Sequence, residues 1–261
     1  MKILLTNDDG IRALGIWSIA AVLAQKHEVI VVAPLKQQSG MSHALSVLRQ
    51  LEFLRIKDEQ IEELLKVHCP DIKVDKQIET WAIDGTPTDC VKIYLEAMVT
   101  GNYPDMIISG INHGSNLATD VLYSGTVGAA LEGYLHEIPS FSISLDIESL
   151  IPFQEVAQAA VNYLEKIVEE NPHKNLFYNI NFPKQFRDTE PEFVMTRLGK
   201  RDYINAFQQH KDEQGRTFYR VGGQVYDIDR SEGTDIFAAD SGYVAVTPLH
   251  ADLTAHDELK V

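Results

Sequence analysis

Two adjacent aspartates, Asp8 and Asp9, follow the short apolar run KILLT at 2–6 and precede Gly10. Neighbouring carboxylates repel one another, and a hard divalent cation would neutralise both and accept their oxygens. An acidic turn that caps the next helix is written in the same letters, so the pair alone leaves both readings open. Ser39 in QQSG and Asn112 in GINHG could add neutral oxygen ligands, although Ser and Asn more commonly bond their own backbone in turns. Ser124-Gly125-Thr126 stands at the start of a helical pattern. Free N–H groups and the helix dipole there suit a phosphate, and a plain Ser/Thr cap has the same composition. His43 and His113 lie in the same polar stretches, but no HExxH or clustered-histidine spacing makes either a metal ligand. No GxSxG, Walker A or post-strand GxGxxG motif is present, which removes support for a serine hydrolase, a P-loop ATPase and a dinucleotide enzyme.

The elements around these residues alternate. Continuous apolar runs at 2–6, 28–33 (EVIVVA), 105–109 (DMIIS), 139–145 (PSFSISL) and 176–182 read as strands buried on both faces, as in parallel sheets. Helical spacing of apolar residues recurs at 13–25, 86–99, 125–136 and 153–168. Strands alternating with helices predict a doubly wound α/β sheet. In such sheets ligands bind beyond the carboxyl ends of the strands, near the switch in strand order. That rule puts the loops at 7–10, 34–40 and 110–126 on one rim. Residues 49–80 show no matching cadence and read as an excursion from the core. Residues 183–250, with strand-like pieces at 218–221, 224–228 and 243–247, read as a β-rich arm. One α/β domain over 1–261 is expected, with a core at about 1–182 and the arm at about 183–250.

The chain has 261 residues and a formal net charge of −15, with 44% hydrophobic residues. A charge of that sign is repelled by phosphate backbones and by anionic membrane surfaces, which argues against polymeric nucleic acid or a membrane as the main partner. Cys69 and Cys90 form no CxxC pair and no disulfide framework, which fits a reducing cytoplasm. The first apolar run ends at once in two acids, unlike a signal peptide.

Several blocks together carry a family resemblance: LLTNDDGI at 4–11, VVAP then QSGMSHALS at 31–46, GTPTDCV at 85–91, SGINHGSNLATDVLYSGTVGAALEG at 109–133 and YVAVTPLHADLT at 243–254. In this order they resemble the SurE family, metal-dependent 5′/3′-nucleotidases. The resemblance implies a Rossmann-like fold and a divalent metal, Mg²⁺ or Mn²⁺, held by Asp8, Asp9, Ser39 and Asn112. It also implies a carboxy-terminal arm exchanged between subunits. The resulting expectation is a phosphatase that hydrolyses nucleoside 5′- and 3′-monophosphates, assembled as a homodimer or homotetramer. Asn116, Ser124, Gly125 and Thr126 are expected to hold the phosphate. The alternatives are a non-catalytic nucleotide-binding protein, which would not need the acidic pair, and an oligomeric regulatory subunit.

Overall fold

β1 (Lys2–Thr6) is covered on both faces because its side chains alternate between two apolar layers: Ile3 and Leu5 enter one, Leu4 the other. All three are fully buried, and each contributes about 1.5–3 kcal/mol by leaving water. The computed structural model describes residues 1–99, 101–172 and 174–259. After β1 the chain forms α1 (Leu14–Leu23), β2 (Glu28–Pro34), β3 (Phe53–Arg55), α2 (Asp58–His68), β4 (Ile78–Ile83), α3 (Pro87–Ile93), β5 (Met106–His113) and α4 (Gly125–Leu135). It continues through β6 (Ser140–Leu145), α5 (Phe153–Glu170), β7 (Phe177–Phe182), β8 (Phe193–Met195), β9 (Lys200–Ile204), β10 (Phe207–Lys211), β11 (Thr217–Val221), β12 (Gln224–Asp229), α6 (Asp235–Asp240) and β13 (Val244–Pro248).

The main sheet runs β3-β4-β2-β1-β5-β6-β7-β13-β8. Strands β4 through β7 are parallel in this order, whereas β3 and β13 pair antiparallel to β4 and β7. Leu5 is in register with Val31 on one side and Ile108 on the other. From β1 the chain builds outward to β2 and β4, then returns to place β5, β6 and β7 on the opposite side. The switch point is therefore between β1 and β5. Helices α1, α2 and α5 pack with the layer that contains Ile3 and Leu5, and α3 and α4 cover the other face. The doubly wound, mostly parallel α/β architecture expected from the strand–helix alternation is present. None of the described helices is long and apolar enough to cross a membrane.

Two stretches differ from the expectation. Residues 49–80 are not an excursion: β3 and β4 extend the main sheet, with β4 parallel to β2 along its length, and α2 between them packs its Ile61 into the core. Ile78, Thr80 and Ala82 are buried, but Glu79 and Trp81 alternate with them, so the strand lacks the unbroken apolar run of its neighbours. Within 183–250, β8 and β13 also join the main sheet. The pieces outside that sheet are two antiparallel ribbons, β10–β11 and β9–β12.

Candidate active site

Asp8 and Asp9 leave the carboxyl end of β1 at the switch point. The turn is closed by Asn7, whose Nδ2 donates to the Gly10 carbonyl at 3.0 Å while its Oδ1 accepts the Gly10 N–H at 3.2 Å. Asn112 reaches the same place from the end of β5. The β5–β6 register slips between Ser109 and Asn112, and a bulge of this kind re-aims the side chains that follow it. The Asn112 amide donates to the Gly114 carbonyl at 2.7 Å, which leaves its Oδ1 for a ligand. Ser39 arrives on the loop after β2, tied to the acidic turn by Gln38 N–H donating to the Asp8 carbonyl at 2.7 Å. Asp8, Asp9, Ser39, Asn112, Asn116 and Ser124 line one cavity of about 710 Å³.

The carboxylates differ in setting. Asp8 is buried, with only 5% of its surface exposed. Burial pushes its pKa up to about 6 against the pull of the Thr126 hydroxyl, which donates to Oδ1 at 2.6 Å, and the adjacent Asp9 charge adds to the rise. Asp9 is also raised by burial, opposed by the His113 backbone N–H donating to Oδ2 at 3.1 Å. Both groups are therefore penalised as anions until a positive charge joins them. The donors available are two carboxylates, a hydroxyl and an amide oxygen, an all-oxygen set suited to a hard divalent ion.

Gly125 and Thr126 do not line the cavity. The sequence assigned them to phosphate, but the first turn of α4 is already occupied by the Asp8 carboxylate. Thr126 is fully buried and its hydroxyl donates to Asp8. A Cβ on Gly125 would stand 3.1 Å from Asp8 Cβ and 3.3 Å from Oδ2, so the glycine permits the close approach. Ser124 caps α4, its Oγ accepting from Val127 N–H at 3.2 Å, and its own hydroxyl hydrogen stays available.

A family profile described as "Survival protein SurE" matches residues 3–205. A protein of Thermoanaerobacter sp. (strain X514), named 5′-nucleotidase SurE, is 39% identical over 261 residues, covering 100% of this chain and 96% of that one. Its namesake from Caldanaerobacter subterraneus subsp. tengcongensis is 40% identical, over 99% of this chain and 95% of its own. This chain belongs to the SurE family. The crystal structure of the SurE protein from Aquifex aeolicus superposes with a TM-score of 0.80 at 33% identity, covering 100% of this chain and 97% of that chain.

Residues that the sequence reading did not assign to the site also line the cavity or brace it in this SurE-family chain. Asp202, Tyr203 and Phe207 line the cavity from the β9–β12 and β10–β11 ribbons. Arg201 anchors that roof, bonding Asp120 at 3.0 Å and Asp227 at 2.7 Å, while the Tyr203 hydroxyl donates to Asp120 at 2.7 Å. Beneath Asn116, Asn181 Oδ1 accepts its N–H at 2.8 Å, Asn179 Nδ2 donates to its carbonyl at 2.8 Å, and Ser144 Oγ accepts from its side chain at 2.8 Å. The signal for this network was the alternation of polar residues in SFSISL and YNINF, which are buried throughout or nearly so. Away from the cavity, Glu96, Glu132 and His136 bring their ligand atoms within 4.8 Å of one another. The Lys92 ammonium contacts both carboxylates, at 2.7 and 2.9 Å, so the protein's own cation already fills that position.

Proposed function

We propose that this chain is a metal-dependent phosphatase that hydrolyses nucleoside 5′- and 3′-monophosphates, with Mg²⁺ or Mn²⁺ held by Asp8, Asp9, Ser39 and Asn112. One observation carries the reading. The cavity is lined by Asp8, Asp9, Asp120 and Asp202, and no Lys or Arg is among its described lining residues. An anionic phosphate is repelled from such a pocket unless a bound cation inverts the local charge. The names of the curated relatives, 5′-nucleotidase, point to the same substrate class.

A divalent ion bound there supplies charge neutralisation for the phosphate and a more acidic water. The chain's residues do the rest. Asp8 is oriented by the Thr126 hydroxyl and Asp9 by the His113 N–H, so the two carboxylates are set before substrate arrives. The Ser124 hydroxyl and the second amide hydrogen of Asn116 are donors for phosphate oxygens. Tyr123, Tyr203 and Phe207 line the same cavity and offer ring faces to a nucleobase.

We assign the arm to assembly as well. Phe207, Phe218, Tyr219 and Tyr226 are 66%, 51%, 66% and 53% exposed, an apolar surface that a homodimer or homotetramer would cover. Light scattering tests this against the chain mass of 29.3 kDa, and a monomer at micromolar concentration would overturn it. The two free thiols, Cys69 and Cys90, are buried, which is consistent with a cytoplasmic setting. The catalytic reading is tested by phosphate release from AMP and GMP in metal-stripped buffer and after Mn²⁺ is added back. Undiminished release in excess chelator would overturn it.

A further inference from the structure

Ser39 is exposed, and among the described residues its hydroxyl accepts only the Gln37 amide, at 3.0 Å. No packed wall fixes this side chain, so its position depends on the backbone of its loop. On one side that backbone is tied to the site by the Gln38–Asp8 bond. On the other side the loop passes Gly40 and is fastened down between residues 42 and 46. Ser42 N–H donates to the Tyr123 carbonyl at 3.0 Å, and its Oγ to the Leu122 carbonyl at 2.7 Å. The Ala44 carbonyl accepts the Thr86 hydroxyl at 2.7 Å. Two buried carboxylates complete the fastening. Asp89 accepts Ser46 N–H at 3.0 Å and Ser46 Oγ at 2.7 Å, and Glu132 holds His43 Nε2 at 2.7 Å.

Asp89 and Glu132 are 4% and 3% exposed, and neither lines the cavity. Asp89 also accepts Thr86 N–H at 2.8 Å as part of the α3 capping box, but capping does not require the two Ser46 bonds. Glu132 lies inside α4, where no helix end needs it. Gly128, one turn before it on the same helix, lets the loop lie flat: a Cβ there would stand 2.2 Å from the Ser42 carbonyl oxygen. Helix α4 thus touches Asp8 through Thr126 and the Ser39 loop through Gly128 and Glu132.

We propose that Asp89 and Glu132 are positioning residues for the divalent-cation site, acting by pinning residues 42–46 and so fixing Ser39 against Asp8 and Asp9. The proposal rests on the reading of Ser39 as a ligand. Conserved partners behind a metal ligand characteristically change metal affinity by about 10- to 100-fold when removed.

The test uses the full-length chain stripped of metal, with Mn²⁺ affinity measured by titration calorimetry and backbone exchange of residues 38–46 by mass spectrometry. The loop-side substitutions His43→Ala and Ser46→Ala, combined, remove the His43–Glu132 contact and the Ser46 hydroxyl bond, so that the loop keeps only its Ser46 N–H on Asp89, while Lys92 and Thr86 still pair the two carboxylates. Asp89→Asn is the second variant. The expected result is faster exchange over 38–46 and Mn²⁺ affinity lower by about tenfold. Turnover at saturating Mn²⁺ should stay within about twofold of the parent, since the ligands themselves are intact. Ser39→Ala should weaken Mn²⁺ binding alone and add little to the loop variant, because residues in one chain of contacts are not additive. Faster exchange with unchanged Mn²⁺ affinity would overturn the proposal while leaving the metal assignment in place, as would fully additive losses. Parent-like Mn²⁺ binding by Ser39→Ala would instead remove Ser39 from the site, and the proposal with it.

Discussion

Replacing Asp8 by Asn should abolish turnover and, in the absence of metal, make the protein more stable. Burial raises the Asp8 pKa from an ordinary 3.8 to about 6. The folded state therefore holds a proton that the unfolded state has already lost, and stability falls as pH rises through that window. Above pH 6 the full cost of the charge is present, about 3 kcal/mol at about 1.4 kcal/mol per pH unit. Asparagine escapes this cost and keeps an oxygen for the Thr126 hydroxyl. Its new N–H₂ faces the former carboxylate position, and an imperfectly placed amide returns about 1–2 kcal/mol of the gain. At pH 8 in chelator, Asp8→Asn is thus expected to be about 1–2 kcal/mol more stable than the parent by urea unfolding. The advantage contributed by the charge shrinks below about 1 kcal/mol at pH 4, where folded Asp8 is almost fully protonated and unfolded Asp8 is close to half protonated. Adding Mn²⁺ at 100 times its dissociation constant should stabilise the parent by about 2.7 kcal/mol and the variant hardly at all, reversing the order. If the difference between the two proteins were the same at pH 4 and pH 8 in chelator, the charge-burial argument would be refuted.

Arg201→Met leaves Asp120 and Asp227 without their shared partner and frees the β9 end of the roof. KM for AMP is expected to rise about tenfold or more with a smaller change in kcat, measured by steady-state phosphate release. Burial raises the Glu132 carboxyl, but the bonds from His43 and Lys92 outweigh it and pull the pKa down to about 2. Its contribution to stability is therefore complete above about pH 4.5 and lost as pH falls toward 2; Glu132→Gln should remove that stretch of acid sensitivity in urea titrations. AMP or GMP should exceed the 5′ ends of long oligonucleotides in kcat/KM by at least about tenfold, because no Lys or Arg is among the described residues that line the cavity, so none is there to follow a polymer. Comparable values at equal concentrations of phosphate ends would count against this.

The sequence is most legible where burial is two-sided. β1, β2, β5, β6 and β7 could be read because parallel strands under helices on both faces need apolar or small residues at nearly every position. β4 escaped because Glu79 and Trp81 interrupt that rule next to β3, a strand of only three residues. β13 was read as a strand, but its membership of the main sheet depends on antiparallel pairing with β7 across more than sixty residues of intervening chain, which no local pattern encodes. The cation-site candidates were legible for a related reason: strand ends at a switch point converge whatever the rest of the chain does. The roof was not, since Asp120, Arg201 and Tyr203 meet only through the tertiary path of the arm.

Thr126 shows where such reading stops. A Ser/Thr-rich helix start next to a glycine attracts an anion, and the sequence does not say which anion. In this fold it is the Asp8 carboxylate, fixed by the Thr126 hydroxyl rather than left to solvent. The helix dipole and the hydroxyl together recover part of the cost of burying Asp8, but its raised pKa shows that they do not recover all of it. A fold that needed only a capped helix would have no reason to keep that deficit, because a neutral asparagine meets the same hydroxyl without it. The uncompensated charge is the reason we propose a cation site there rather than an acidic turn. It is visible only when the burial of Asp8, the Thr126 hydroxyl and the adjacent Asp9 are seen together.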